Sequence, residues 1–299
     1  MGDAAIEVRG LRKAYGDLDA VAGVDLRVER GEVFALLGPN GAGKTTTVEI
    51  LEGHRPRDHG EVAVLGHDPA DRPADLLRRI GIVLQSTGVE PYLTVEETVE
   101  LFRGLYPSPR PVDEVLDLVG LTAQRDHRVK RLSGGQQRRL DVAVGLAGDP
   151  ELLFLDEPTT GFDPAARRGA WAMIRNLREL GKTVLLTTHY MDEAQSLADR
   201  VAIIVHGQIV AEGPPAILGG RDRGTAISFR VPEGGLPPTA ADARVEEGLV
   251  TLRTEEPTRV LHELTTWAVE HGVELEELTV SRPSLEDVYL ELTEGADDR

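Results

Sequence analysis

The chain has no cysteine, only four lysines and only 4% aromatic residues among its 299 positions. The absence of cysteine excludes disulfides, thiolate metal sites and a cysteine nucleophile, and it is typical of cytosolic proteins. Apolar runs extend over a few residues, whereas a membrane-spanning helix needs about 20. The first ten residues, MGDAAIEVRG, contain neither the basic nor the apolar segment of a secretory signal. We therefore expect a chain that neither crosses a bilayer nor is secreted.

Positive charge is also scarce. The chain has 33 Lys and Arg residues against 51 Asp and Glu residues, a net charge of −18. A nucleic-acid partner is not expected, because proteins that bind nucleic acids need a basic face. Residues 225–299 contain 17 acidic and 6 basic residues, a net charge of −11. This shift and the glycine-rich segment 219–224 predict two domains, residues 1–220 and a small acidic domain of residues 221–299.

Short apolar runs alternate with longer amphipathic segments in the first domain. Such runs are typical of a parallel sheet covered by helices on both faces. The predicted strands are residues 33–37, 80–84, 152–155, 184–188 and 201–205. Residues 205–210 predict a hairpin that adds an antiparallel edge strand. The predicted fold class is therefore α/β, with a mainly parallel sheet flanked by helices.

Helix-capping patterns place further helices in the chain. Thr94 begins a capping box, Asp163 precedes a proline, and residues 94–147 are predicted to form a mostly helical subdomain beside the sheet. The second domain predicts a small α+β arrangement. Its elements are strands at 225–231, 249–252 and 273–280, a helix at 258–270, and a last helix that begins at Ser284.

The strongest local motif follows the first predicted strand. It fits the pattern G-x-x-x-x-G-K-[ST] and leads into a helical stretch, residues 46–51. Glycines allow the backbone N–H groups to close around phosphate oxygens, and the helix N-terminus adds positive potential. Lys44 is expected to reach the β- and γ-phosphates of a nucleotide, and the Thr45 hydroxyl is expected to bind Mg²⁺. The predicted nucleotide-binding residues here are Gly38, Pro39, Asn40, Gly41, Ala42, Gly43, Lys44, Thr45 and Thr46.

Two carboxylates end another predicted strand, residues 152–155. Asp156 is expected to lie beside the Mg²⁺ ion of the nucleotide. Glu157 is one residue further and is expected to orient and deprotonate an attacking water. An apolar strand followed by Asp-Glu is a weak pattern alone, because a helix cap after a strand looks the same. The phosphate-binding motif makes the catalytic interpretation the favoured one.

A third motif, Leu132-Ser133-Gly134-Gly135-Gln136, opens a helical segment. A hydroxyl, two glycine N–H groups and a helix N-terminus form a second phosphate-binding surface, of Ser133, Gly134, Gly135 and Gln136. With the two motifs above, this sequence resembles the ATP-binding cassette (ABC) ATPases, the nucleotide-binding subunits of ABC transporters, over about residues 5–215. The resemblance implies a P-loop ATPase core that binds ATP and Mg²⁺ and hydrolyses ATP.

The resemblance also assigns roles to four isolated residues. Tyr15 matches the aromatic residue that stacks on adenine. Gln85 matches a glutamine that contacts Mg²⁺ and takes part in catalysis. Asp163 matches the loop that crosses to the partner subunit, and His189 matches the histidine that contacts the γ-phosphate. Without the resemblance, each of these residues would be an ordinary structural or surface residue.

In this family the P-loop of one chain and the Ser-Gly-Gly motif of another clamp the same ATP. The resemblance therefore implies a dimer, most simply a homodimer, that lies at the cytoplasmic face of the cell membrane and works with a separate transmembrane permease. Residues 85–98 and the segment 282–289 are similar to those of daunorubicin-resistance exporters. They favour export of a drug or another small hydrophobic molecule.

The alternatives are a lipid or polysaccharide exporter, a non-transport cassette ATPase of translation or repair, an unrelated P-loop kinase or GTPase, and a binding module without catalysis. Translation-type ATPases carry two cassettes per chain, and repair-type ATPases carry long coiled coils or zinc hooks. The Ser-Gly-Gly motif disfavours a kinase or GTPase. The presence of Lys44, Asp156 and Glu157 favours hydrolysis over simple binding.

Overall fold

The computed structural model describes residues 4–83, 88–218, 224–231, 235–240, 243–246, 248–281 and 289. It divides into two compact units, residues 1–214 and 215–299. This division lies six residues before the boundary that composition predicts, because the chain leaves its last edge strand at Gly213 and starts a new helix at Pro215. No helix among the described residues is long and apolar enough to span a bilayer.

The first unit contains nine described strands and seven described α-helices. The strands are β1 (Ala4–Tyr15), β2 (Leu18–Glu29), β3 (Val33–Leu37), β4 (His59–Val64), β5 (Ile80–Val83), β6 (Leu152–Asp156), β7 (Thr183–Thr188), β8 (Arg200–Val205) and β9 (Gln208–Gly213). The helices are α1 (Lys44–Leu51), α2 (Ala74–Arg79), α3 (Val95–Arg103), α4 (Val112–Leu118), α5 (Gly134–Leu146), α6 (Pro164–Glu179) and α7 (Met191–Leu197).

A six-stranded sheet forms the centre of the first unit, in the order β5-β6-β7-β3-β8-β9. Every pair is parallel except β8 and β9, which form the predicted antiparallel hairpin. All five residues of β3 and all six of β7 are buried, because helices or a second sheet cover both faces. The predicted α/β class is confirmed.

A second sheet in this unit, with the order β2-β1-β4, is antiparallel and was not among the predicted strands. One apolar cluster joins its inward side chains to α1 and to one face of the central sheet. The cluster includes Ile6, Val28, Phe34, Leu51 and Phe154, and each of these residues is fully buried. Helix α1 is therefore fixed between the two sheets.

The second unit is a small α+β arrangement. Its elements are α8 (Pro215–Leu218), β10 (Thr225–Arg230), β11 (Arg244–Glu246), β12 (Leu249–Thr254), α9 (Pro257–His271) and β13 (Thr279–Ser281). The strands form an antiparallel sheet in the order β11-β12-β10-β13, and the core includes Phe229 and Leu264. The strand predicted at 273–280 is wrong over most of its length, because Glu277 adopts a left-handed backbone (φ 54°) that breaks the extended run. The predicted last helix at Ser284 lies outside the described residues.

Candidate functional site

The phosphate-binding motif forms the turn between β3 and α1. A Cβ atom on Gly38 would lie 2.3 Å from the Ile204 carbonyl oxygen, and one on Gly43 would lie 2.2 Å from that of Ala20. Gly43 also has a φ of 102°, which favours glycine. The loop therefore passes close to its neighbours and enters α1 at Lys44. The first N–H groups of a helix lack intrahelical partners and attract anions, so this loop fits a phosphate group.

Lys44 lies at the base of this loop with its side chain 5% exposed. Its Nζ donates hydrogen bonds to the carbonyl oxygens of Gly38 (2.7 Å) and Pro39 (3.0 Å). Burial lowers the pKa of the Lys44 ammonium, while the carboxylates of Glu157 and Asp156 raise it. Thr45 is exposed in the first turn of α1. The Lys44 ammonium can bind a phosphate group, and the adjacent Thr45 hydroxyl can coordinate the metal ion of that phosphate.

Asp156 and Glu157 leave the end of β6 beside Thr187 of β7. The Thr187 hydroxyl donates to the Asp156 carboxylate and accepts a hydrogen bond from the Glu157 N–H at 3.0 Å. The Glu157 backbone has a φ of 44°, a left-handed conformation that is strained for a residue with a side chain. Thr187 therefore positions two consecutive carboxylates at the carboxyl edge of the sheet, where ligands of open α/β folds bind.

The Glu157 carboxylate lies between a lysine and a histidine. Its Oε1 is 3.2 Å from His189 Nδ1 and 3.9 Å from Lys44 Nζ, and its Oε2 accepts a hydrogen bond from the Thr160 hydroxyl at 3.0 Å. The structure thus brings together four side chains that the sequence places on three separate segments. We call Lys44, Asp156, Glu157 and His189 the catalytic cluster. Such an arrangement can hold phosphate charge and orient a water beside it.

The Ser-Gly-Gly motif begins α5. Ser133 is the N-cap residue: its Oγ accepts from the Gln136 N–H (3.3 Å), and the Gln136 Oε1 accepts from the Ser133 N–H (2.9 Å). Asp163 likewise caps α6, where its Oδ1 accepts from the N–H groups of Ala165 (2.8 Å) and Ala166 (2.9 Å). Ser133 and Gly134 are exposed. We call Ser133–Gln136 together with Asp163 the signature surface.

An open cleft of about 860 Å³ lies along the signature surface. Its lining includes Ser133, Gly135, Asp163 and Glu157. Among the described residues that line this cleft, none belongs to the loop 38–45. Glu157 is therefore the residue that the catalytic cluster shares with the cleft, and the loop that fits phosphate lies outside it.

One predicted site residue stands apart from these groups. Tyr15, at the end of β1, is 40% exposed and lies near the cationic groups of Lys13 and Arg55, 5.6 Å and 5.4 Å from its ring centroid. A partly open ring can stack on a planar ligand. Gln85 lies outside the described residues. No cluster of three or more acidic or histidine side chains that could hold a metal occurs in the described part of the chain. A Mg²⁺ ion here would therefore need phosphate oxygens as additional ligands, which is its usual mode.

Sequence reasoning missed several buried polar residues around this site. Arg138, 8% exposed on α5, donates to the carbonyl oxygens of Asp156 (2.8 Å) and Pro158 (3.3 Å). Thr187 and Thr159 are fully buried, and so is Glu193 on α7. Arg138 lies two residues after Gln136, the last residue of the motif that begins at Leu132. That proximity is a signal that could have found it. The other three residues carry no motif.

Comparisons with known proteins give two family matches. Residues 21–160 match the family described as ABC transporter. Residues 225–284 match the family described as ABC transporter domain-containing protein-like, C-terminal domain.

Several relatives are similar along nearly the whole chain. The daunorubicin resistance ATP-binding protein DrrA3 of Streptomyces coeruleorubidus is 38% identical, with 100% of this chain and 98% of the relative covered. The doxorubicin resistance ATP-binding protein DrrA of Mycobacterium tuberculosis (strain ATCC 25618 / H37Rv) is 36% identical, with 97% and 94% covered. The Nod factor export ATP-binding protein I of Rhizobium sp. (strain N33) is 40% identical, with 98% of each covered.

Solved structures share the fold of the first unit. The chain is 28% identical to cbiO1 from Clostridium perfringens, part of the ABC transporter complex cbiONQ, with a TM-score of 0.65 over 73% of this chain and 92% of that one. It is also 28% identical to the ATP-binding cassette MJ0796 in a dimeric post-hydrolysis state bound to ADP and Pi, with a TM-score of 0.62 over 70% and 98% of the two chains.

Proposed function

This chain belongs to the ABC transporter family as an ATP-binding and ATP-hydrolysing subunit, and from that premise we propose that it powers export through a separate transmembrane permease. The observation that carries the proposal is the catalytic cluster, in which one carboxylate oxygen of Glu157 lies 3.2 Å from His189 and 3.9 Å from Lys44. This cluster has the groups that ATP hydrolysis needs, at one edge of the central sheet.

In the proposed mechanism, Lys44 and the loop 38–46 bind the β- and γ-phosphates. The Thr45 hydroxyl, the Asp156 carboxylate and Gln85 would hold Mg²⁺, which would supply positive charge beside the phosphates. Glu157 orients a water and accepts its proton. Because His189 Nδ1 is engaged by Glu157, its Nε2 is the ring nitrogen that would meet a γ-phosphate oxygen.

A second chain completes the site in this proposal. The exposed Ser133 and Gly134 of one chain would bind the γ-phosphate held by the loop 38–46 of another, with Gly135, Gln136 and Asp163 close by. Two observations support this arrangement. The signature surface lines an open cleft that includes none of the described loop residues 38–45, and the similar cassette MJ0796 forms a dimer. A homodimer needs no further subunit type, so it is the arrangement we propose.

The permease is proposed to contact the helical subdomain, on the cytoplasmic face of the membrane. Three exposed apolar side chains support such a contact, since exposed apolar groups are favoured at interfaces. Tyr92 is 64% exposed, and Leu101 and Leu105 are 60% and 74% exposed at and after α3.

The proposed cargo is a drug or another small hydrophobic molecule. The matches to relatives named for daunorubicin and doxorubicin resistance cover 94–98% of the length of those relatives and include the C-terminal unit of this chain. Relatives named for Nod factor export have similar identity, 40% in one case. Export of a lipid or a polysaccharide is the second candidate.

The catalytic proposal is tested by Glu157→Gln in the full-length chain. The amide keeps the size of the side chain but removes the base, so the rate of MgATP hydrolysis should fall by about 10²- to 10⁴-fold. MgATP binding, measured by titration, should persist. The matched control is Glu151→Gln, because Glu151 precedes the opposite end of the same strand and pairs with Arg79. Hydrolysis by Glu157→Gln at the parent rate would refute the proposed base.

The export proposal is tested in inverted membrane vesicles that contain the chain and its permease. We expect MgATP-dependent uptake of daunorubicin, and no uptake when the chain carries Glu157→Gln. Uptake of a lipid or a polysaccharide instead would support the second candidate. MgATP-independent uptake would contradict both.

A further inference from the structure

A buried carboxylate outside the three motifs lies close to the catalytic cluster. Glu193 is on α7, four residues after His189, and it is 0% exposed. Its Oε1 accepts hydrogen bonds from the Thr159 hydroxyl at 2.7 Å and from the Trp171 Nε1–H at 3.2 Å. Burial raises the pKa of Glu193 above its ordinary value, and hydrogen bonds from Thr188, Thr159 and Trp171 offset part of this rise. Because a buried polar group is destabilising when it loses its partner, these bonds hold their donors firmly.

Thr159 connects this carboxylate to the segment that follows Glu157. The segment 157–163 is a pair of successive turns: the Thr160 N–H donates to the Glu157 carbonyl at 3.3 Å, and the Phe162 N–H donates to the Thr159 carbonyl at 3.1 Å. Thr159 is itself fully buried. Its hydroxyl is therefore an anchor for the turn that begins at Glu157.

Glu193 connects the same bond to the segment that follows His189. Helix α7 begins at Met191, and the Ala194 N–H donates to the Tyr190 carbonyl at 3.3 Å, so Glu193 lies in the first turn after His189. The Thr159–Glu193 bond and the Glu157–His189 contact of 3.2 Å consequently join the same two segments. The Thr159–Glu193 bond is buried, and the Glu157–His189 contact lies in the catalytic cluster.

We propose that Glu193 is a positioning residue for hydrolysis, which fixes the spacing between Glu157 and His189 through its hydrogen bonds to Thr159 and Trp171. This inference rests on the proposed roles of Glu157 and His189. Displacing a catalytic group by about 1 Å can reduce a rate by up to 100-fold, so a loss of this bond should reduce kcat. The binding of ATP depends on the loop 38–46 and should not change.

Thr159→Val removes the hydroxyl and keeps the shape of the side chain. We expect kcat for MgATP hydrolysis by the full-length chain to fall by about tenfold, with KM changed by less than about twofold. Thr159→Ser keeps the hydroxyl and should retain kcat. Thr98→Val is the matched control, because Thr98 is 1% exposed and its hydroxyl donates to a backbone carbonyl at 2.8 Å in α3, away from the cluster.

Glu193→Leu should have the same effect on kcat, whereas Glu193→Gln keeps an acceptor oxygen and should retain kcat within about threefold. In Glu193→Leu the Thr159 hydroxyl loses its acceptor. Adding Thr159→Val removes that unpaired hydroxyl, so the melting temperature of the double variant should be higher than that of Glu193→Leu while its kcat stays low. An unchanged kcat in both Thr159→Val and Glu193→Leu, or a kcat that recovers with the melting temperature, would overturn the inference. Full activity of Glu157→Gln, measured in parallel, would instead refute the proposed function beneath it.

Discussion

The catalytic cluster and the signature surface use polar side chains in opposite ways. In the cluster, the side chains of Lys44 and Glu157 are 5% and 14% exposed and lie 3.9 Å apart, so they are directed at each other. On the signature surface, the polar atoms of Ser133 and Asp163 cap helices, and the Ser-Gly-Gly backbone faces outward. One region is assembled within the chain. The signature surface exposes a helix N-terminus at the surface of the chain.

This difference bears on how a site can be shared between two chains. The catalytic cluster can hold its geometry alone, because its hydrogen bonds are made within the fold. A capped helix end with an exposed glycine, Gly134, can offer a backbone N–H group to an external anion, and its cap is made within the chain. The comparison predicts that changes in the cluster alter ATP binding by a single chain, whereas changes on the signature surface alter it only when two chains meet.

The largest expected effect is the contrast between Lys44→Ala and Ser133→Ala. Loss of the Lys44 ammonium removes the cation that faces the phosphates, so MgATP affinity should fall by at least tenfold, about 1.4 kcal/mol. Ser133→Ala should leave the affinity of the single chain within about twofold, since its hydroxyl serves the helix cap. Isothermal titration at low protein concentration measures both. Equal losses of affinity in the two variants would contradict the comparison.

The next effect concerns Glu52, which is 2% exposed at the end of α1 behind the phosphate-binding loop. Burial, with the charges of Asp156 and Glu49, raises the pKa of Glu52 to about 8. A carboxyl whose pKa is raised by folding stabilises the protein fully below its unfolded pKa, and this contribution is lost as the pH rises through about 8. Glu52→Gln removes this titration, so the variant's free energy of unfolding, relative to that of the parent protein, should be higher at pH 9 than at pH 5 by at least about 1 kcal/mol.

Urea unfolding at the two pH values measures this difference. The matched control is Glu61→Gln, since Glu61 is an exposed residue of β4. A Glu52→Gln variant whose stability changes with pH as the parent protein's does would show that the carboxyl is not titrating in this range.

A smaller effect is expected for the cap of α6. Asp163→Ala removes the acceptor of two N–H groups and should lower the free energy of unfolding by about 1 kcal/mol. Asp163→Asn keeps an acceptor oxygen and should lower it by only a few tenths of a kcal/mol. Chemical denaturation distinguishes the two. An Asp163→Ala protein as stable as the parent would show that the carboxylate is held for another purpose.

The smallest effect is expected for removal of the C-terminal unit. Truncation after Gly220 leaves the sheet and helices of the first unit intact, so the shortened chain should fold and bind MgATP within about twofold of the full chain. Circular dichroism and a nucleotide titration test this. An insoluble or non-binding product would show that the cassette depends on residues 221–299.

Much of the central sheet could be predicted because its strands are continuous apolar runs. The strands β3, β6, β7 and β8 start and end within one residue of the predicted limits. The sheet β2-β1-β4 could not be predicted in the same way. Its pairing contains register shifts near Val8, Leu11 and Lys13, and charged residues such as Arg9 and Arg12 interrupt the alternation of apolar and polar positions.

The candidate site likewise contains residues that the sequence predicts and residues that it does not. Motifs locate Lys44, Asp156 and Ser133, because each lies where a strand ends or a helix begins. Local sequence does not reveal that Thr187 and Arg138 hold the Asp156–Glu157 segment, since these contacts join residues 18 to 31 positions apart. Glu193 in sequence is an ordinary acidic residue of a first helical turn, where it would be expected to face solvent. Only the packing of α6, α7 and the turn at Thr159 buries it.

The measurement that tests the central claim most directly is size-exclusion chromatography of Glu157→Gln with and without MgATP. Because this variant should bind ATP and hydrolyse it slowly, two chains should stay joined across it, as a dimer with MgATP and a monomer without it. Ser133→Arg, added to Glu157→Gln, places a bulky side chain on the signature surface and should abolish the dimer while MgATP binding persists. An oligomer that forms regardless of ATP, or a Glu157→Gln monomer saturated with MgATP, would contradict a site shared between two chains.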